Sequence, residues 1–247
     1  MSDSPIVYED RLLAFLDILG FSERLLRSGK DQKLGRELLD FFVSLKTLLA
    51  RFQSDDFAVT LFSDTLCISS REPPNFSSFC CGLSLIVTSL LGLNYTVRGA
   101  VSRGLLYHKG DIIFGPCLVR AHNLENTLAI FPRIIIDPNV EANLDPEGRL
   151  FEPIYADPDG LRCVNYLSPV LLEVVFRLVG LPAQQLRAEI KANINRMLSA
   201  TMDERALQKL RWLHGYAERT VSGPNPGEAL IQELVLKLRA SSPSSRD

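Results

Sequence analysis

The sequence has no excess of positive charge. Its 27 Lys and Arg stand against 29 Asp and Glu, a formal net charge of −2 at pH 7, which excludes the electrostatic footprint of a protein that holds a nucleic-acid polymer. A nucleoside triphosphate stays open as a ligand, because a metal ion neutralises its phosphates locally. There is no apolar run long enough for a bilayer. The most apolar stretch, Phe79 to Leu93, holds about 15 residues against the roughly 20 that a spanning helix needs, so it reads as a buried helix and no membrane partner is expected. Met1-Ser2-Asp3-Ser4-Pro5 has no basic segment followed by an apolar one, and a cytoplasmic location is expected. Cysteine is scarce and odd in number: Cys67, Cys80, Cys81, Cys117 and Cys163 show no CxxC spacing, which speaks for reduced thiols and against a disulfide framework. His108, His122 and His214 share no ligand spacing, and the single Trp212 sits at helical spacing as a packing residue. No P-loop, GxGxxG, internal repeat or low-complexity segment is present.

What is there is a globular composition, 46% apolar and 23% charged, and two aspartates in unusual company. Asp17 ends the run Leu12-Leu13-Ala14-Phe15-Leu16, and Asp64 follows Val59-Thr60-Leu61-Phe62-Ser63. An ionised carboxylate amid Leu, Ile and Phe is costly unless paired or bound to a metal. Two of them point to a shared divalent cation and to phosphate chemistry.

The hydrophobic pattern orders the chain. Tyr8 to Leu19 reads as a central strand and Gly20-Phe21-Ser22 as a turn whose Ser22 caps the following helix. Leu34, Leu38, Phe41, Phe42, Leu45, Leu48 and Leu49 mark an amphipathic helix over Lys33 to Phe52. Phe57 to Phe62 and Thr65 to Ser70 form a hairpin turning at Ser63-Asp64. Phe76 to Leu91 is a helix, Tyr95 to Tyr107 a long strand, Ile112 to Phe114 a short one, and Gly115-Pro116 opens a helix through Glu125 before the strand Arg133 to Ile136. The predicted class is α/β (α+β), with a ferredoxin-like βαββαβ core, in which the end of the first strand and the central hairpin become neighbours. The core is expected over residues 8–137. An irregular linker and helical C-terminal extension follow over 138–240, with helices over 168–178, 183–200, 203–216 and 227–240, and then a disordered tail over 241–247.

These residues resemble class III nucleotidyl cyclases. Phe15-Leu16-Asp17-Ile18-Leu19-Gly20-Phe21 looks like the family's first metal-Asp motif and Phe62-Ser63-Asp64-Thr65 like its second. Val97 to Gly104 is similar to the strand that follows, and Gly115 to Glu125 resembles the helix with the transition-state residues. The departures matter as much. Thr60 falls where purine cyclases carry a base-reading Lys, Ile112 where they carry an acid, and Val119 and Asn123 where they carry the transition-state Asn and Arg. With Gly115-Pro116, Leu124-Glu125 and Pro132-Arg133-Ile134-Ile135, the combination resembles the pyrimidine cyclases of bacterial Pycsar anti-phage defence. The resemblance implies a homodimer that makes cUMP or cCMP from UTP or CTP with Mn²⁺ or Mg²⁺, and a separately encoded effector that senses the product.

On that resemblance Asp17, Asp64 and the backbone carbonyl of Ile18 hold the metals, acting as hard oxygen ligands. Gly20, Phe21 and Ser22 offer amide N–H groups to the β and γ phosphates. Arg98 is the favoured substitute for the missing arginine, ahead of Arg103 and Arg120, and its loss should cost roughly 3–4 kcal/mol of barrier. Thr60 by hydrogen bonding and Phe57 by stacking are the candidates for holding a pyrimidine. UTP is favoured over CTP. A purine cyclase and a catalytically silent nucleotide- or protein-binding module are the other readings.

Overall fold

The structure is a computed structural model that describes residues 7–50, 57–71, 76–142, 153–179, 183–221, 231–232 and 235–236. Its elements run β1 (Glu9–Ile18), α1 (Phe21–Ser28), α2 (Gln32–Ala50), β2 (Phe57–Phe62), β3 (Thr65–Arg71), α3 (Phe76–Gly92), β4 (Val97–Lys109), β5 (Ile112–Phe114), α4 (Pro116–Leu128), β6 (Ile134–Ile136), α5 (Pro138–Ala142), β7 (Ile154–Ala156), β8 (Arg162–Val164), α6 (Pro169–Val179), α7 (Ala183–Ala200) and α8 (Glu204–Val221).

Two compact units emerge. The first contains β1 to β3 with α1 and α2, and β4 to β6 with α4 and α5. Its sheet has the order β2-β3-β1-β4-β6, with β5 on β4. Strand β3 lies between β1 and β2, antiparallel to both, and β4 is antiparallel to β1 on the other side. This is the ferredoxin-like order that the sequence predicts. Leu12 to Leu16 are buried on both faces, as the unbroken apolar run requires. One face carries Asp17, Phe15, Leu13 and Arg11, because alternate residues of a strand share a side. On that face Leu13, Phe15, Cys67 and Leu106 pack with Cys117 and Ala121 of α4. Gly99 permits the close approach of β4 to β1: a Cβ there would meet the Phe15 carbonyl oxygen at 2.3 Å. Gly115 (φ 145°) begins α4, where a Cβ would lie 2.7 Å from the Leu105 carbonyl oxygen.

The second unit contains α3, α6, α7 and α8. Helix α3 is buried nearly all round and packs with α6 and α7. Ser84 Oγ donates to the Tyr166 carbonyl (2.6 Å) and Asn193 Nδ2 to that of Leu91 (3.3 Å). Tyr216 accepts from the Leu167 N–H (3.1 Å) and donates to Asn165 Oδ1 (2.9 Å), with Trp212 stacked on its ring.

Helix α3 joins the C-terminal helices and α5 joins the sheet, because a helix that is apolar on every side needs helices around it. Three-residue β7 and β8 and five-residue α5 replace part of the expected irregular stretch; elements so short leave no period to read. The tail over 241–247 lies outside the described residues, as does most of the helix expected over 227–240. All five cysteines are buried and outside any disulfide, and burial raises the thiols of Cys67, Cys81 and Cys117 to about 12. No described helix is long and apolar enough to cross a membrane.

Candidate active site

Antiparallel pairing on both sides of β1 assembles the site. Asp17 faces Thr65 across β1–β3 and Arg98 across β1–β4. Asp64 sits in the hairpin turn just before β3, after Ser63, whose φ of 54° is uncommon for a non-glycine residue. The Ile18 N–H donates to the Asp64 carbonyl (2.8 Å), which ties the turn to the end of β1. The two aspartates thus come from distant sequence to one end of the sheet.

The chain then turns through Gly20 in the left-handed region (φ 72°) and α1 begins at Phe21. The expectation of Ser22 as a helix cap is corrected here. Gly20 is the cap residue, no side chain caps α1, and the Ser22 hydroxyl donates instead to Asp64 Oδ2 (2.8 Å). The Phe21 ring is buried against Phe41, Phe42 and Tyr95, so its backbone N–H is what it can offer a phosphate.

Arg98 joins the site from β4. Its Nε–H donates to Asp17 Oδ2 (3.0 Å), and the same nitrogen lies 2.7 Å from Glu125 Oε1. Glu125 comes from α4 and is only 3% exposed. Burial raises its carboxyl above the usual range, Arg98 opposes the rise and Asp17 adds to it. Two carboxylates, Asp17 and Glu125, therefore share one guanidinium, with Asp64 in the adjoining turn. Asp17 and Asp64 are half-buried, and each has one oxygen engaged, with Arg98 and Ser22 respectively. This deficit of positive charge, on hard oxygen donors open to solvent, fits a divalent cation. Among the described residues no three or more His, Cys, Asp or Glu side chains cluster as a metal cage. The donor set on offer is two carboxylates, the sparse kind that suits an ion completed by substrate phosphates.

The other candidate arginines are engaged elsewhere. Arg120 is bound to the fully buried Asp137, with Nη2 to Oδ1 at 2.8 Å. Ser102 and the Asn139 N–H also donate to that carboxylate. Burial alone would raise Asp137, but these bonds more than offset it and hold it below the usual range. Arg103 meets Asp10 at 3.1 Å on the face opposite Arg98.

At the far end of the same face lies a buried polar chain. Arg11 Nε contacts Ser69 Oγ (2.9 Å), Ser69 Oγ contacts His108 Nδ1 (2.8 Å), and His108 Nε2 contacts Thr60 Oγ1 (2.8 Å). Thr60 donates to the Gly110 carbonyl (3.1 Å). Thr60 is thus joined to the β4–β5 turn, two residues before Ile112; on the motif resemblance these are two of the four positions that depart from purine cyclases. Phe57 is not brought to them. It pairs with Ser70 while Thr60 pairs with Cys67, so an odd spacing puts Phe57 on the opposite face, away from the hairpin tip, and a stacking role beside Thr60 is withdrawn.

Glu125, His108, Ser69 and Arg11 were given no role by sequence reasoning. The only signal was Glu125 on the inward face of a helix; the others are scattered over three strands.

No family model matches the sequence, and no curated protein does. Among solved structures the chain is similar to the adenylyl cyclase CyaB from P. aeruginosa, at 15% identity and a TM-score of 0.42 over 55% of this chain and 80% of that one. It is similar to the monomeric guanylyl cyclase domain of the RhoGC fusion protein from the aquatic fungus Blastocladiella emersonii, at 14% identity and 0.42 over 64% and 95%. It is also similar to a class III adenylyl cyclase-like ATP-binding protein from Pseudomonas aeruginosa, at 13% identity and 0.42 over 83% and 43%. All three TM-scores lie below one half.

Proposed function

We propose that this protein is a pyrimidine nucleotide cyclase that converts UTP to 3′,5′-cyclic UMP and pyrophosphate, acting as a homodimer in bacterial anti-phage defence of the Pycsar type, with a separately encoded effector that senses the product. The observation that carries the reaction is the convergence of Asp17 and Asp64 at one end of β1, with Arg98 beside Asp17 and too little positive charge for the carboxylates present. The defence setting, the dimer and the effector rest on the motif resemblance.

In the proposed reaction the ribose 3′-oxygen attacks the α-phosphorus, its proton is released, and the bond to the β-phosphate oxygen breaks to release pyrophosphate. Asp17, Asp64 and the Ile18 carbonyl would hold Mn²⁺ or Mg²⁺, which when bound supplies activation of the attacking oxygen and neutralisation of the leaving one. Ser22 keeps Asp64 oriented by its hydrogen bond. The N–H groups from Gly20 to Ser22, at the start of α1, suit the terminal phosphates. Arg98, held beside Asp17 by its Nε–H, is the charge that would meet the transferring phosphoryl group. Glu125 restrains it from behind. Thr60 and the β4–β5 turn face the base.

The test is incubation of the purified protein with each of the four ribonucleoside triphosphates and Mn²⁺. Cyclic UMP and pyrophosphate from UTP support the reading. Preferential cyclisation of CTP moves the substrate to cytidine, and turnover of ATP or GTP makes it a purine cyclase. No product from any, with Asp17→Ala indistinguishable from the parent, would sink the enzyme reading and leave a silent binding module.

A further inference from the structure

The chain from Arg11 to Gly110 has every proton assigned by its two ends. At one end Arg11 is 2% exposed and ion-paired with Glu9 at 2.6 Å. A guanidinium only donates, so Ser69 Oγ accepts from Arg11. At the other end the Gly110 carbonyl only accepts, so the Thr60 hydroxyl gives its proton there. With that proton committed, Thr60 Oγ1 accepts from His108 Nε2–H. His108 is 3% exposed, and burial, followed by the nearby charge of Arg11, pushes it down to about 4, so it is neutral. A neutral imidazole protonated on Nε2 is bare on Nδ1, so the Ser69 O–H donates to Nδ1. The hydrogen bonds run one way, from β1 across β3 and the end of β4 to Thr60 on β2 and the turn after β4.

We propose that His108, held in its Nε2–H form by Ser69 and Arg11, is a specificity-positioning residue that fixes the Thr60 hydroxyl as a hydrogen-bond acceptor toward the nucleobase. This rests on the cyclase reading above. Thr60 shares the sheet face of Asp17, in the row of Phe15. A hydroxyl has one proton and two lone pairs. Gly110 takes the proton and His108 one lone pair, leaving one lone pair for the base. The base edge read there must present an N–H, not a carbonyl oxygen or a bare ring nitrogen. Uracil offers N3–H and cytosine its 4-amino group, on neighbouring atoms. A fixed acceptor separates the two by position, whereas a freely rotating hydroxyl serves either.

The experiment combines a spectrum with a selectivity ratio, both on the full chain. Side-chain ¹H–¹⁵N correlation spectra at pH 7, with His108 assigned by comparison with His108→Gln, should show Nδ1 bare and Nε2 protonated. Ser69→Ala should give mixed tautomers and shrink the kcat/KM preference between UTP and CTP by about 3- to 10-fold, the size of one neutral hydrogen bond. Thr60→Val, a milder change at a half-buried site, should shrink the preference as much, and adding Ser69→Ala to it should change the ratio no further. A wild-type His108 protonated on Nδ1 overturns the proposal while cyclase activity survives. So does a Ser69→Ala that slows both substrates equally, or that acts undiminished on the Thr60→Val background. The stated tautomer with no nucleotide bound or turned over overturns the cyclase reading, and the base-reading role falls with it.

Discussion

The two ends of β1 carry polar groups on the same face of one sheet and are built in opposite ways. At the Arg11 end Arg11, Ser69 and His108 are buried, and with half-buried Thr60 they link into one chain that ends on Gly110. At the Asp17 end the balance is uneven: half-buried Asp17 and buried Glu125 share Arg98, and the half-buried Asp64 carboxylate has only Ser22 among the described residues. The folding penalty for buried polar groups falls on both. One end meets it internally and so fixes geometry. The other leaves capacity unmet and so invites a cation and its substrate. Satisfied networks position; unsatisfied ones bind.

The comparison is broken most strongly at the open end. Asp64→Ala should abolish cyclisation, about 10³-fold or more, while urea unfolding changes by less than about 1 kcal/mol, since its Ser22 partner is exposed. A large loss of stability would mean that the carboxylate is structural.

Arg98→Ala is expected next, with turnover down about 10²- to 10³-fold. It also costs stability, about 2–4 kcal/mol, because the buried Glu125 loses its counter-charge. Arg98→Lys keeps the charge and should restore most of the stability but only part of the rate. Equal recovery of both would argue against a phosphoryl-facing role.

The closed end gives a smaller effect with a defined sign. His108 sits near 4 in the folded protein against an ordinary 6.5. The unfolded chain therefore binds this proton more readily, and stability is complete above about 6.5 and declines as pH falls toward 4. The loss should approach 2–3 kcal/mol by linkage. Glu9, Asp137 and Asp159 are held below the carboxylate range, so their losses come at lower pH; Glu125, raised by burial, opposes the loss within this window, and the His108 part is the difference between the parent and His108→Gln. Urea titrations at pH 7 and pH 4.5 measure the effect, and His108→Gln should flatten it. The smallest effect is Arg103→Ala, within about 1 kcal/mol of the parent in stability because its Asp10 partner is exposed, with cyclisation unaltered. A marked drop in rate would put Arg103 back among the catalytic candidates.

Much of the first unit was legible. The hairpin was placed within a residue, because two period-two runs joined by two residues have few other ways to fold. Helix α7 was predicted at its observed bounds from helical periodicity alone. Asp17 and Asp64 were legible as a pair because their neighbours are apolar. Phe57 was misread because an aromatic three residues from Thr60 looks adjacent in sequence, yet an odd step along a strand changes face. Ser22 was misread because a serine at a helix start usually caps it, and here Gly20 takes that position.

By itself the sequence determined the order of strands and helices, the buried runs, the reduced thiols and the two carboxylates, since each is written in local pattern and burial cost. The tertiary structure decided which arginine meets Asp17, that Glu125 backs it, that α3 belongs with the C-terminal helices, and that Arg11, Ser69, His108 and Thr60 share one line of protons. Those facts depend on cross-strand register and on contacts between residues far apart in the chain, where a shift of one residue sends every side chain to the other face.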